Sequence, residues 1–543
     1  MYKLIKNAKI LTMDKQKPYA QAALVANEYF AYVGSEKGAR EFLAERDLTA
    51  QEWDAKGHTV LPGFNDAHLH LLHCLKAKDS VDLFSCQSFK ELMATMNEAY
   101  ENHNKDSGSW LIGEGWNQDY FSDEKRFPLG KDLDKISRDI PIVIMRACFH
   151  IGVLNSKAME LIGITKEKAS DHYGYIDVDE KKNPTGVIRE YVLDNIKAKL
   201  PSPSVEDLVE KLIDFQEDLF EQGITSVQSD DVKYLAGENY PRFCYLMREA
   251  GEKKRLKLRY SLQLLVDNKE DIEQFFALGF DKDFGNRRFK ISSIKILTDG
   301  SLGARTAYLR KPYSDDPSTR GIALYKQNEL NHMVYSCHKE NMPVALHAIG
   351  DGAIEQCLEA ISYAQEQFPH LHPRHGLVHA QITDKDLLRR IKKLKIGLYI
   401  QPIFLHYDMH MVKSRVGGAL AQSSYAWKTC RDMGIPCAYS TDAPVEPFKT
   451  MPNLYCAVTR RDLQARGPFL PEEKVSVEEA LEAYTLLGAY MTAEEEDKGK
   501  IKEGYLADFI ILDRSITEVE KKEILATRVM KTFLGGQVVY KRG

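Results

Sequence analysis

Along the middle of the chain, short apolar runs alternate with amphipathic stretches in a regular order. After LPGFNDAHLH (61–70) comes a helical stretch near 205–222, then GITSVQS (223–229). A helix near 238–250 leads to LKLRYSLQLLV (256–266), another to FKISSIKIL (289–297), and one near 327–341 to MPVALHAIG (342–350). Three further units end in RHGLVHA (374–380), KIGLYIQP (395–402) and IPCAYSTDA (435–443). Strands buried on both faces read as near-continuous apolar runs, and the helices between them make the crossovers of a parallel sheet. Eight such strands predict an α/β fold, a (β/α)8 TIM-like barrel. An open doubly wound sheet would read alike, so the count alone leaves closure undecided.

The two ends are written differently. KLIKNAKILTM and ALVANEYFAYVG near the start, and ADFIILD (507–513), RVMKTFLGG (528–536) and QVVYKRG (537–543) near the end, read as short strands broken by turns. Residues 1–60 plus 500–543 are therefore expected to form one small β-sandwich domain built from both termini. The barrel is assigned to 61–75 plus 201–499. The intervening 76–200 is too long for a structureless loop and carries strand and helix signals of its own. It is read as an inserted α/β domain after the first barrel strand, covering the active site.

Composition narrows the class of partner. The 543 residues are 43% hydrophobic and 28% charged with a formal net charge of -5, ordinary for a soluble enzyme. That balance offers nothing to nucleic acid or an anionic membrane, so a small-molecule substrate is expected and a homo-oligomer stays open. The start, MYKLIKNAKILTMDKQ, lacks the apolar core of a secretory signal, and runs such as IPIVIM (140–145) are too short to span a bilayer. The nine cysteines form no C-x-x-C pair and read as reduced, buried thiols. The expectation is a cytoplasmic protein.

Candidate chemistry collects at the strand ends. His68 and His70 are separated by one residue, so on a strand both point to one face, and neutral imidazole suits zinc and similar ions. An isolated H-x-H is common by chance, and alone it reads as two hydrogen-bonded histidines. His347, His379 and Asp442 fall near the ends of the fifth, sixth and eighth strands, where a barrel of this kind places its active site. His375 lies nearer the start of its strand and is taken as structural. Lys295 stands among apolar residues in ISSIKILTDG, a costly place for an unpaired cation. Facing metal ions, it would need to be neutral or modified.

The segments LPGFNDAHLH, KILTDGSLGARTA (295–307), LHAIGDGA (346–353), VHAQ, STDAP (440–444) and GKIKEGYLADFIILD (499–513) together resemble the amidohydrolase superfamily. Within it they look most like amidohydrolase family 3, the group that contains N-substituted formamide deformylases. The resemblance spans nearly the whole chain and is strong for fold and metal site, weak for substrate. It implies that His68, His70, a carbamate on Lys295 formed with carbon dioxide, His347, His379 and Asp442 hold one or two divalent ions, zinc first among them. One departure is VQSDD (227–231), where relatives carry a histidine.

Such a site implies a metal-dependent hydrolase that cleaves a C–N bond of an amide, formamide or cyclic amide with a metal-activated hydroxide. Asp442 would be the catalytic proton carrier. Trp116, Arg146 and His150 of the insert are candidates for substrate contact, each balanced by a packing or hydrogen-bonding role. Two other readings compete. A mononuclear deaminase of a heterocyclic amine needs no fourth-strand lysine, and a non-catalytic oligomeric scaffold would have lost its ligands. GDGA (350–353) as a phosphate loop lacks the G-K-[ST] that should follow.

Overall fold

The computed structural model describes residues 2–103, 110–118, 121–146, 151–171, 175–189, 192–193 and 203–543. Eight parallel strands form one sheet in sequence order: β1 (Phe64–Leu69), β2 (Ile224–Ser229), β3 (Arg259–Leu265), β4 (Phe289–Leu297), β5 (Val344–Ala348), β6 (Gly376–His379), β7 (Gly397–Ile400) and β8 (Cys437–Tyr439). Helices such as Asp351–Gln367 and Lys385–Lys393 alternate with them. Just beyond β8, Asp442 N–H donates to His68 O at 2.9 Å and His70 N–H to Ala443 O at 2.7 Å. These bonds join the last strand's extension to the first, so the sheet is a nearly closed TIM-like barrel. All of β3 and β8 and most of β4 are buried, as a strand packed on both faces must be.

The chain divides into two compact units, Met1–Leu71 with Leu208–Gly543, and Leu72–Asp207. In the first, strands from both termini share one sheet: Phe509–Leu512 pairs antiparallel with Thr59–Pro62 and with Val529–Leu534. A second sheet holds Tyr2–Lys6 between Ala22–Ala26 and Ala50–Asp54. Ile5, Val25, Phe30, Val60, Phe509 and Phe533 make one apolar cluster with members from both sheets. Arg259, at the start of β3, and Asp508 form a buried bidentate ion pair, one arm of which is 2.9 Å (Nη2 to Oδ1). A fork matched to a carboxylate is the arrangement in which burial of both charges is tolerable.

The second unit contains a six-stranded mixed sheet in which Ile142–Arg146 runs parallel to Leu111–Trp116 on one side and antiparallel to Ile151–Leu154 on the other. Leu83, Leu92, Met96 and Phe121 pack in one of its apolar clusters, and Val143, Met145 and Leu154 in another. Among the described residues, eight cysteines are present, all buried, and no helix is long and apolar enough to cross a membrane.

His375 precedes β6 and is buried as a neutral ring in a relay of hydrogen bonds. Its Nδ1 accepts from Val344 N–H at 3.1 Å, and its Nε2 lies 2.8 Å from His338 Nδ1. His338 Nε2 lies 3.3 Å from the Phe368 carbonyl, which can only accept. One proton per ring satisfies every contact, and a second on His375 would meet an occupied donor. Burial, then the neighbouring His338, pushes His375 down to about 3. An unfolded histidine titrates near 6.5, so between those values the unfolded chain binds more protons and the fold loses stability as pH falls. Stability measured by denaturant titration should drop by up to about 1.4 kcal/mol per pH unit below about 6.5 from this site. His375→Gln, though less stable at pH 7, should show a shallower acid slope; an unchanged slope would exclude the relay as its source.

Candidate metal centre

Six residues singled out from the sequence stand at the C-terminal ends of their barrel strands: His68 and His70 at β1, Lys295 in β4, His347 in β5, His379 closing β6 and Asp442 after β8. Ligand atoms of His68, His379 and Asp442 lie within 4.8 Å of one another, and so do those of His68, His70 and Asp230. His347 falls outside both sets but stands beside His379, ring centroids 4.6 Å apart and edge to face. The sequence reading had missed Asp230, in the VQSDD that departs from the relatives' histidine. The same test applied to other strands, an acidic residue just past the strand end, would have found it.

The imidazoles are oriented before any ion arrives. His68 Nδ1 donates to Gln263 Oε1 at 2.9 Å and His379 Nδ1 to Gln401 Oε1 at 2.8 Å. The amide of Gln401 cannot be reversed, because its nitrogen donates to Ser440 Oγ at 2.8 Å and to the Tyr399 carbonyl. His347 Nδ1 donates to Asp299 Oδ1 at 2.9 Å, and Asp299 is itself held by the N–H groups of Ile349 (3.1 Å), Gly350 (2.9 Å) and Tyr308 (3.0 Å). Gly350 is required there, since a Cβ would come 2.0 Å from the Tyr308 carbonyl oxygen. With the proton fixed on Nδ1, all three rings present an Nε2 lone pair, the state a metal ligand needs.

His379 and Asp442 adopt left-handed backbone conformations, φ 76° and 60°. This costs of order 1–2 kcal/mol for a residue with a Cβ, so it persists only where the surroundings impose it. At Asp442 they do so through its N–H bond to His68 O and through Asp66, whose carboxylate accepts from Thr441 N–H (3.0 Å) and Thr441 Oγ (2.6 Å). Burial pushes the Asp66 carboxyl up to about 7 against the help of those Thr441 bonds.

Charge is balanced inside the cluster. Lys295 Nζ donates to Asp230 Oδ2 at 2.6 Å and lies 3.3 Å from His68 Nε2. Asp230 Oδ1 lies 2.6 Å from His70 Nδ1, while Asp442 Oδ1 lies 3.0 Å from His70 Nε2 and 3.3 Å from His68 Nε2. Burial opposes ionisation of both aspartates; the charges of His70 and Lys295 overcome it at Asp230, and the close contacts with His68 and His70 at Asp442, so both are held well below the usual carboxylate range. The same anions raise His70 despite its burial, whereas burial first, then Lys295, lowers His68. Burial, reinforced by His347, pushes His379 far down.

The donor set fits a divalent ion. Asp442 Oδ1 and Asp230 Oδ1 are buried and receive no hydrogen bond of good geometry from any described residue, although imidazole nitrogens stand close by. Two ligands bound at roughly 2.0–2.1 Å around a tetrahedral ion are themselves about 3.3 Å apart, the spacing found between His68 Nε2 and Asp442 Oδ1.

Two of the candidates in the insert have other surroundings. Trp116 is fully buried in the insert's apolar cluster, edge-on to Phe127 at 5.6 Å, which is a packing role. Arg146 is half-buried and donates to Gln118 Oε1 and Asn117 Oδ1, both at 3.0 Å. His150 lies outside the described residues.

Comparison with known proteins agrees with this geometry. Residues 51–540 match the model of the amidohydrolase family. The chain is 32% identical over 536 residues to the amidohydrolase YtcJ of Bacillus subtilis (strain 168), covering 98% of each chain. It is 26% identical over 564 residues to the N-substituted formamide deformylase of Arthrobacter pascens, covering 99% of this chain and 98% of that one. The crystal structure of an uncharacterised metal-dependent hydrolase from Pyrococcus furiosus superposes with a TM-score of 0.78 at 31% identity, over 95% of this chain and all of the other. The protein belongs to the amidohydrolase family.

If Asp299 orients His347 toward an ion, Asp299→Ala should weaken metal binding about 10–100-fold, the usual effect of removing a ligand's hydrogen-bond partner. Metal retention during chelator titration measures this. Wild-type retention in the variant would remove His347 from the ligand set.

Proposed function

We propose that the protein hydrolyses a C–N bond of a small amide, formamide or cyclic amide. The observation that carries the reading is the buried Asp442 Oδ1, facing two imidazole nitrogens at ligand-to-ligand spacing with no in-line hydrogen bond. His68, His70, His347, His379, Asp442 and a carbamate on Lys295 would hold one or two divalent ions, zinc being the first choice for imidazole and carboxylate donors. When bound, such ions lower the pKa of a water molecule and polarise a substrate carbonyl.

The chain's own residues supply the rest. Asp442, ionised among histidines and rigid in its left-handed turn, accepts the proton of the attacking water and delivers it to the leaving nitrogen. Gln263 and Gln401 keep His68 and His379 from rotating as charge develops. Phe404 stacks on His379 at 5.8 Å, giving the centre an apolar wall. The named activity of the Arthrobacter pascens relative supports formamides as the first compounds to assay.

A second reading keeps Lys295 as an ammonium and the centre as a single-ion site, the pattern of a deaminase acting on a heterocyclic amine. The 2.6 Å contact between Lys295 Nζ and Asp230 Oδ2 favours it, because the two charges already satisfy each other. Carbamylation instead forms a bond from the deprotonated amine nitrogen to carbon dioxide and turns the cation into an anion. Intact mass measured under gentle conditions separates the two: one added carbon dioxide, lost in Lys295→Ala together with one metal equivalent, supports the two-ion reading.

Metal-loaded protein should cleave at least one member of a panel of formamides, acylamino acids and cyclic amides. On that compound Asp442→Asn should lower turnover by at least about 10²-fold, the range of general-base loss, while retaining much of the metal. Near-wild-type turnover in Asp442→Asn would overturn the proton-carrier role even with the metal in place.

A further inference from the structure

Asn453 is an unexpected residue for its place in the chain. It lies inside the helix Thr450–Thr459, which follows β8, among Met451, Leu454, Tyr455 and Cys456, and like them it is buried. Asparagine suits a helix interior poorly, and burying its amide costs free energy unless each polar atom is bonded. Its side-chain bonds reach outside the helix. Oδ1 accepts from Ile403 N–H at 2.8 Å, and Nδ2 donates to the Ser440 carbonyl at 2.7 Å and to Tyr484 OH at 3.4 Å. Only one orientation of the amide satisfies these partners, since Ile403 N–H can only donate and the Ser440 carbonyl can only accept.

The two segments joined by this amide each deliver a candidate ligand. Ile403 belongs to the short turn Pro402–Phe404. Gln401, just before that turn, accepts the Nδ1 proton of His379 at 2.8 Å, and Phe404, at its end, stacks on the His379 ring. Ser440 leads through Thr441 to Asp442, and its Oγ accepts from Gln401 Nε2. His379 and Asp442 are the two candidate ligands with left-handed backbones, and they share one cluster with His68. One side chain thus ties the support of His379 to the turn that presents Asp442.

Tyr484 closes the arrangement. Its OH accepts from Asn453 and donates to Asp66 Oδ2 at 3.3 Å, while Asp66 accepts from Thr441 N–H and Oγ. The cycle runs from Asn453 through Ser440, Thr441, Asp66 and Tyr484 and back, and all five residues have 0% exposure. Ser440 and Thr441 cannot swing without breaking bonds in a place closed to solvent, where a lost partner is not replaced. Neither Asn453 nor Tyr484 is hydrogen-bonded to a candidate ligand among the described residues, so both act through the segments beside them.

We infer that Asn453, supported by Tyr484, is a positioning residue that sets the separation of His379 and Asp442 and with it the geometry of the ion they hold. This rests on the metal centre and not on the proposed reaction, and the test reads the ion directly. Wild type and variants are loaded with cobalt(II), whose visible absorption follows the arrangement of its ligands, and affinity is measured by chelator competition. Asn453→Ala and Tyr484→Phe should each weaken cobalt binding at least about fivefold, the scale of one neutral hydrogen bond, and shift the absorption bands. Phe275→Leu serves as the control for stability alone: it loosens the packing against Phe276 and Phe280 on the helix between β3 and β4 and should leave both readouts at wild-type values. Wild-type bands and affinity in Asn453→Ala, or an equal loss in Phe275→Leu, would overturn the role. Should Asn453→Ala not fold, Tyr484→Phe decides by the same outcomes, because it keeps the ring edge-on to Phe64 at 5.3 Å. An effect in Asn453→Ala alone keeps the role for Asn453 and removes Tyr484 from it. Wild type that takes up no cobalt would overturn the metal centre itself.

Discussion

Two carboxylates and a lysine are buried among four imidazoles at one end of the barrel, and that balance of charge is the constraint on which the site depends. Asp230 and Asp442 cannot both stay ionised in an apolar barrel unless cations face them, and His70 and Lys295 are the cations supplied by the fold. The arrangement compensates charge without completing it, since an oxygen of each aspartate still lacks a hydrogen bond among the described residues. A divalent ion would convert those close nitrogen-to-oxygen contacts into ligand pairs. The site thus combines tolerable burial in the absence of an ion with a strong preference for one.

The surrounding structure serves that centre in layers. Gln263, Gln401 and Asp299 each accept the Nδ1 proton of one histidine, and each is anchored by backbone or side-chain partners of its own. Asp66 ties β1 to the Thr441 that precedes Asp442, so the first and last strands are joined at the point where the ligands are presented. The left-handed backbone at His379 and Asp442 is affordable because these bonds leave few alternatives. Precision at the centre comes from residues that carry no chemistry of their own.

Eight strands, their order and the ends at which His68, His70, Lys295, His347, His379 and Asp442 stand were all legible in the chain. Apolar runs of strand length separated by helices have few other solutions, and the last residues of such runs fall at one face of the barrel. Asp230 was not legible as a member, because an acid after a strand is ordinarily a turn or cap residue and the resemblance suggested a histidine there. Trp116 illustrates the converse: an aromatic beside a glycine-rich strand invites a pocket role, yet the insert needs it for its own core.

By itself the sequence determined which residue types lie at which strand ends, since periodicity and strand length are local properties of the chain. Tertiary structure alone decided the rest. Whether Asp230 neutralises Lys295 and which imidazole nitrogen carries the proton both depend on contacts between residues far apart in sequence. Hydrogen bonds and ionic contacts act over a few ångströms in space, and only closure of the barrel brings those atoms within that range.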